Sequence, residues 1–228
     1  DGKTKYNTSF SHSGWVKSSV SGKDLSPQRW LEILTNKKLK HKKRTRWKEV
    51  YGGFIENSLE SFSDTFRGVV SKNTVEMIEL VLSNKDTILE EFIDSWLSGI
   101  AYSDSIEDIS DDLLKKVLLC FPYDDKSQRA RYFTDIIEKR SDIIWPQEIL
   151  NTLIEIAINH KDPELGSPNI TNKDDKEMKS VEMLQSNAIN CVRGSALQAI
   201  GALLWTHDSL FENFKNTIEK QLKMKMMQ

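Results

Sequence analysis

The chain has little cysteine, no long apolar run and no excess of charge of either sign, and each absence removes a class of protein. Its 228 residues hold two cysteines, Cys120 and Cys191, each inside an apolar pattern of helical spacing. One pair in a chain this long is no disulfide framework, so both are expected as buried thiols in a reducing compartment. No apolar stretch approaches the roughly 18 residues of a membrane span, and no signal-peptide pattern opens the chain, so the expectation is a cytoplasmic protein with no membrane partner. Lysine and arginine number 32 against 34 acidic residues, a formal net charge of -2, which gives no overall pull toward nucleic acid or lipid. His12, His41, His160 and His207 are scattered with no second ligand at helical spacing, so neither metal nor cofactor is expected.

Catalytic signatures are also missing. No GxSxG, HExxH, CxxC or GxGxxG occurs. Asp1-Gly2-Lys3-Thr4 spells the end of a phosphate-binding loop without its earlier glycine, its strand or its helix. The carboxylate clusters around residues 90–94, 104–112, 124–125 and 174–177 lack the glycine and glutamate spacing of a calcium loop. They fit solvated faces and helix starts. The sequence therefore points to a binding or structural role and not to an enzyme.

What is present is helix after helix. Residues 1–24, rich in Ser, Gly, Lys and Asn, are expected as an extended arm. Ser26 and Pro27 then form a helix start, with Trp30, Leu31, Ile33 and Leu34 as its apolar face. Helical periodicity recurs over 54–72, 74–83, 86–102, 110–121, 127–140 and 146–160. A polar gap runs to about residue 179, and helices over 181–205 and 208–225 follow. No segment alternates strictly, so the predicted class is all-α: an irregular α-solenoid of stacked helix pairs of the HEAT or TPR kind, or else a single irregular helical bundle. Residues 25–228 are taken as one helical-repeat domain, a piece of a longer chain.

Two stretches carry the candidate site residues. In residues 186–205, Ile189, Val192, Ala196, Ile200 and Leu203 form one stripe with Arg193 embedded in it. A charge there needs a buried partner, and Glu155 or Asp162 is expected to supply it. Gly194 and Gly201, seven apart, are expected to let a neighbouring helix come close, and Asn190 joins them as a structural residue. The other stretch is the basic run 37–48, in which Lys40, Lys42, Lys43, Arg44, Arg46 and Trp47 could meet phosphates or stack a base. A solvated loop is the simpler expectation for it, with nucleic acid as the alternative partner.

Several pieces together resemble the C-terminal helical-repeat region of bacterial STAND-type ATP-binding proteins that act in antiphage defence. They are residues 14–19 with 24–31 (Gly14-Trp15-Val16 and Asp24-Leu25-Ser26-Pro27-Gln28-Arg29-Trp30-Leu31), Gly52-Gly53 with the helix after it, and His160-Lys161-Asp162-Pro163 followed by Asn190-Cys191-Val192-Arg193-Gly194-Ser195-Ala196. Ser19 stands where that family usually has proline. The resemblance implies a sensor that binds a foreign, phage-encoded protein, works alongside the rest of a parent chain that carries the ATPase and effector, and performs no catalysis itself.

Overall fold

The computed structural model describes residues 25–41, 46–50, 53–57, 59–124, 128–162 and 190–226. The arm expected over residues 1–24 lies outside the described residues, as do Lys42, Lys43 and Arg44. Helix dominates, as the periodicity predicts. The helices are α1 (Pro27–Leu34), α2 (Leu59–Lys72), α3 (Thr74–Ser83), α4 (Ile93–Ala101), α5 (Asp111–Cys120), α6 (Arg129–Lys139), α7 (Gln147–Asn159), α8 (Val192–Thr206) and α9 (Phe211–Met226). No helix among the described residues is long and apolar enough to cross a membrane.

The all-α class holds, and a short hairpin interrupts the helices between α1 and α2. There β1 (Arg46–Val50) pairs antiparallel with β2 (Gly53–Asn57), with Val50 opposite Gly53 and Arg46 opposite Asn57. The helix predicted from residue 54 therefore begins only at Leu59. Tyr51-Gly52-Gly53 is the reason: a glycine-containing link of two residues favours a hairpin, and Trp47, Val50, Phe54 and Ile55 on either side favour strand. Arg46 and Trp47 open β1, and Lys40 lies on the short 3-10 turn Lys37–His41.

Two helix starts follow the sequence signals, whereas the helix expected over 86–102 begins only at Ile93, after a 3-10 turn at Glu90–Phe92. Ser26 accepts a hydrogen bond from the Arg29 N–H at 3.4 Å, with Pro27 at the first helical position. Ser110 precedes α5, whose first turn holds Asp111 and Asp112, where the helix dipole favours negative charge. At the far end of α5, Pro122 follows two residues after Cys120 and blocks continuation.

Alternate helices pack in two rows. In one row α2 contacts α4, α4 contacts α6, and α6 contacts α8; in the other, α1, α3, α5, α7 and α9 contact one another in the same successive way. Buried aromatics anchor the first end: Trp30 lies 5.0 Å from Phe66, and Phe66 meets Phe92 edge-on at 5.9 Å. The Trp96 indole N–H donates to the Met77 carbonyl at 3.3 Å, which locks α4 to α3.

Glycine placement separates one close approach from one open surface. A Cβ on Gly99 would stand 2.6 Å from Val70 Cβ and 2.8 Å from the Arg67 carbonyl oxygen, so α4 needs glycine where it crosses α2. Gly201 was expected to do the same on α8 but does not, because nothing lies within 4 Å of the place its Cβ would take. The small-residue flank of α8 faces outward at that position. Gly201→Ala should therefore raise stability by about 0.5–1 kcal/mol through helix propensity alone, read from the denaturant midpoint at unchanged slope.

Candidate binding groove

The helices of the α2–α4–α6–α8 row run in the same direction, and side-chain contacts show how they are aligned. Val70 of α2 meets Gly99 of α4. Asp94 at the start of α4 meets Gln128 and Arg129 at the start of α6, and Tyr102 just beyond α4 meets Asp135 in α6. Thr134 and Asp135 of α6 meet Ser195 of α8, and Ser141 meets Thr206 at their far ends. Arg67, Ser98, Arg131 and Val192 consequently fall at one level across four successive helices.

At that level lies a shallow open groove of about 430 Å³. Arg67 borders it from α2, Ser98 and Tyr102 from α4, and Gln128, Arg131 and Tyr132 from the start of α6. Asn190 and Val192, at the entrance to α8, close its far side. A second hollow of about 260 Å³ adjoins it toward the helix N-termini and shares Arg67, Ser98, Gln128 and Tyr132. Its added residues include Asp64, Glu91 and Asp94, so the lining turns acidic on that side.

Ser98 lines both hollows and is 2% exposed, yet its hydroxyl has no hydrogen-bond partner among the described residues. A buried polar atom left unsatisfied costs about 1–3 kcal/mol, so it is uncommon in a site that has only to be stable. Nearby polar groups are satisfied. Arg129, buried at the first position of α6, donates from Nε to Asp94 at 3.2 Å and from Nη1 to the Pro122 carbonyl at 2.8 Å, and it also pairs with Glu90.

One wall is stiffened by a buried carboxylate. Asp135, 6% exposed, accepts from Tyr102 Oη at 2.7 Å, Ser195 Oγ at 3.0 Å and Arg131 Nε at 3.1 Å. Thr134 Oγ1 lies 2.6 Å from Ser195 Oγ, extending the network between α6 and α8. Lys139 donates to the Ala101 carbonyl at 2.6 Å and stands 4.6 Å over the Tyr102 ring, a cation–π contact on the same wall.

Burial, then the bond to Asp135, pushes the Tyr102 phenol up to about 12. A raised phenol favours the fold below the ordinary tyrosine range near 10 and ceases to as pH climbs through the folded value. Wild type should thus lose stability between about pH 10 and 12 in a way Tyr102→Phe does not, seen by comparing melting temperatures of the two proteins across that range.

The start of α8 differs from the sequence expectation. A single helix was predicted over 181–205, but Cys191 is extended (φ -91°, ψ 158°) and α8 begins after it at Val192. The Cys191 sulfur accepts from the Gly194 N–H at 3.2 Å, so Gly194 serves the cap, half-buried, in the first turn. Arg193 was expected to be fully buried within the apolar stripe. Restarting the helix at Val192 gives the buried face to Val192, Ser195, Ala196, Ala199, Ile200 and Leu203, and Arg193 is half-buried beside it.

The expected neighbour is present through the backbone: the Asp162 carbonyl accepts from the Arg193 N–H at 3.3 Å, and its carboxylate from the Val192 N–H at 2.8 Å. Asp162 thereby supplies N–H acceptors at a helix start, where the first N–H groups lack intrahelical partners. Residues 160–162 and 190–196, far apart in sequence, are joined here. Asn190, an exposed residue picked from sequence as structural, lines the groove.

Cys120 and Cys191 are reduced thiols, and burial pushes both above the ordinary thiol range, which keeps them protonated and unreactive near neutral pH.

Sequence reasoning missed Arg129, Arg140 and Ser98. Arg129 left one signal, because a cation at the first position of a helix opposes the helix dipole and requires carboxylate partners. Ser98, in an apolar helical pattern, left none. Comparison of the chain with protein-family models, with curated proteins and with solved structures finds no match.

Proposed function

We propose that this chain is a protein-recognition module of stacked helix pairs, a solenoid whose α2–α4–α6–α8 row presents the ligand-facing surface. The observation that carries the reading is the polar groove crossing these like-directed helices, whose lining includes the buried Ser98 hydroxyl, without a partner among the described residues. Two rows of alternate helices suit such an arrangement, because each inner helix of a row is covered on both flanks and leaves one face to a partner. A groove of hydroxyl, amide, guanidinium and phenol groups on rigid helices suits peptide recognition, in which a few well-placed polar groups and aromatic anchors set orientation.

The resemblance to STAND-type sensor regions supplies the biological setting. On this reading the partner is a foreign, phage-encoded protein met in the bacterial cytoplasm, and ATP hydrolysis and the effector activity belong to other parts of a parent chain. Recognition without catalysis is then the role of the residues described.

Selection from a displayed random-peptide library tests the proposal. Selected peptides should compete with one another and should bind Gln128→Ala and Tyr132→Ala proteins at least about tenfold more weakly, or about 1.4 kcal/mol. Peptides unaffected by these changes but lost with Lys42→Glu and Lys43→Glu would move recognition to the basic run. Salt-sensitive binding of single-stranded RNA or DNA, lost with the same two charge reversals, would replace the reading with the nucleic-acid alternative.

A further inference from the structure

We propose that the groove takes an extended peptide laid across α2, α4 and α6, with a single acidic side chain seated over Ser98 between Arg67 and Arg131. The proposal rests on the recognition reading and names the chemistry of its ligand.

Ser98 lies on α4, the middle helix of the three, and its buried Oγ has no partner among the described residues. That Oγ is covered in the free protein, so a carboxylate oxygen reaches it only as the lining side chains part, and by accepting the O–H it then relieves the cost of leaving the group unpaired. Arg67 stands on one side of Ser98 and Arg131 on the other, at the same level. Arg67 is half-exposed and pairs with Asp64 only at 3.7 Å, a surface contact weak enough for a ligand carboxylate to displace. Arg131 is fixed through its Nε on Asp135, so its guanidinium is positioned before any ligand arrives.

Asp162 in this groove and Asp94 in the adjoining hollow already have donors. Asp94 is held by Arg129 and the Gln128 N–H, and Asp162 by the Val192 N–H. Toward the helix N-termini, Asp64 and Glu91 line the adjoining hollow and would repel a second acidic group. A single carboxylate with neutral flanks fits this field better than a polyanion. Helix axes are about 8–10 Å apart and an extended chain advances about 3.3 Å per residue, so about six residues cross the three helices.

The test is a side-chain and amide NMR titration of the protein with a capped Gly/Ser peptide of about nine residues carrying one central glutamate, against the same peptide with central glutamine. The glutamate peptide should saturably shift the Arg67 and Arg131 Nε–H signals and bind at least about tenfold more tightly than the glutamine peptide. Arg67→Gln should abolish that preference. Ser98→Ala should weaken the glutamate peptide while melting no lower than wild type, an outcome that separates a ligand contact from a folding role.

Equal affinity for the two peptides, or no groove shift with either while library-selected peptides still shift groove signals, overturns the carboxylate proposal and leaves the recognition reading standing. If no peptide of any kind shifts a groove signal, the recognition reading falls with it.

Discussion

Replacing Arg140 with alanine is expected to lower the unfolding free energy by about 2–6 kcal/mol, chiefly the cost of leaving two buried carbonyls without a donor at about 1–3 kcal/mol each. Arg140 ends α6, is 4% exposed, and uses all five of its N–H donors. Nη1 donates to the Ile106 carbonyl at 3.1 Å and the Ile109 carbonyl at 2.6 Å. Nη2 reaches Asp111 at 3.0 Å and Asp142 at 3.1 Å, and Nε reaches Asp142 at 2.9 Å.

The two carbonyls belong to the tight turn before α5, and Asp111 opens that helix, so one guanidinium fixes the α4–α5 connection onto the end of α6. Asp111 and Asp142 have solvent to turn to when the arginine is lost, and most of the expected cost comes from stranding the carbonyls. Arg140→Lys should recover only a minor part, because an ammonium has three donors and no planar fork. The bond from Arg140 holds the Asp142 carboxyl below its usual range. A depressed carboxyl favours the fold above the ordinary aspartate value near 4, and its contribution is lost as pH falls through the folded value. The gap between wild type and Arg140→Ala, measured by denaturant unfolding, should accordingly narrow below about pH 4.

Gly99→Ala is the second large effect, with an expected loss of about 1–2 kcal/mol. Alanine gains up to about 1 kcal/mol over glycine in a helix, but overpacking costs about 1–3 kcal/mol. Overpacking wins at this site because one of the atoms struck is the Arg67 backbone oxygen, which cannot swing aside as a side-chain end would. Relief requires α2 and α4 to separate, which carries Arg67 away from Ser98. The variant should therefore bind groove peptides more weakly as well as unfold at lower denaturant. Gly201→Ala, in the same substitution class on an open surface, should move stability the other way. A Gly99→Ala protein as stable as wild type would show that α2 and α4 are not in that close contact.

Helix positions were legible in the sequence because apolar spacing and caps act locally. Ser26-Pro27, Ser110-Asp111-Asp112 and Pro122 mark ends that the structure keeps. The hairpin was less legible, since residues 54–57 fit a helical stripe as well as a strand, and only the Tyr51-Gly52-Gly53 link decides between them. The break at Cys191 rests on a sulfur cap and on Asp162, a residue far away in sequence, so periodicity carried the helix through it. Arg193 lies on an apolar stripe in the sequence, whereas Arg129 and Arg140, at the ends of α6, are the arginines buried among the described residues. Charges at helix ends look ordinary in sequence, and which of them are buried depends on what the next helix places over them. The groove was illegible for the same reason, as it is assembled from Arg67, Ser98, Arg131 and Asn190 on separate elements.

The most direct test of the central claim is an amide and side-chain NMR map of the protein bound to a library-selected peptide. The account predicts that the perturbed signals cluster on Arg67, Ser98, Tyr132 and Asn190, across the row of like-directed helices. Perturbations confined to the opposite row, at the hollow lined by Leu119, Tyr123 and Thr152, or to residues 37–48, would contradict it.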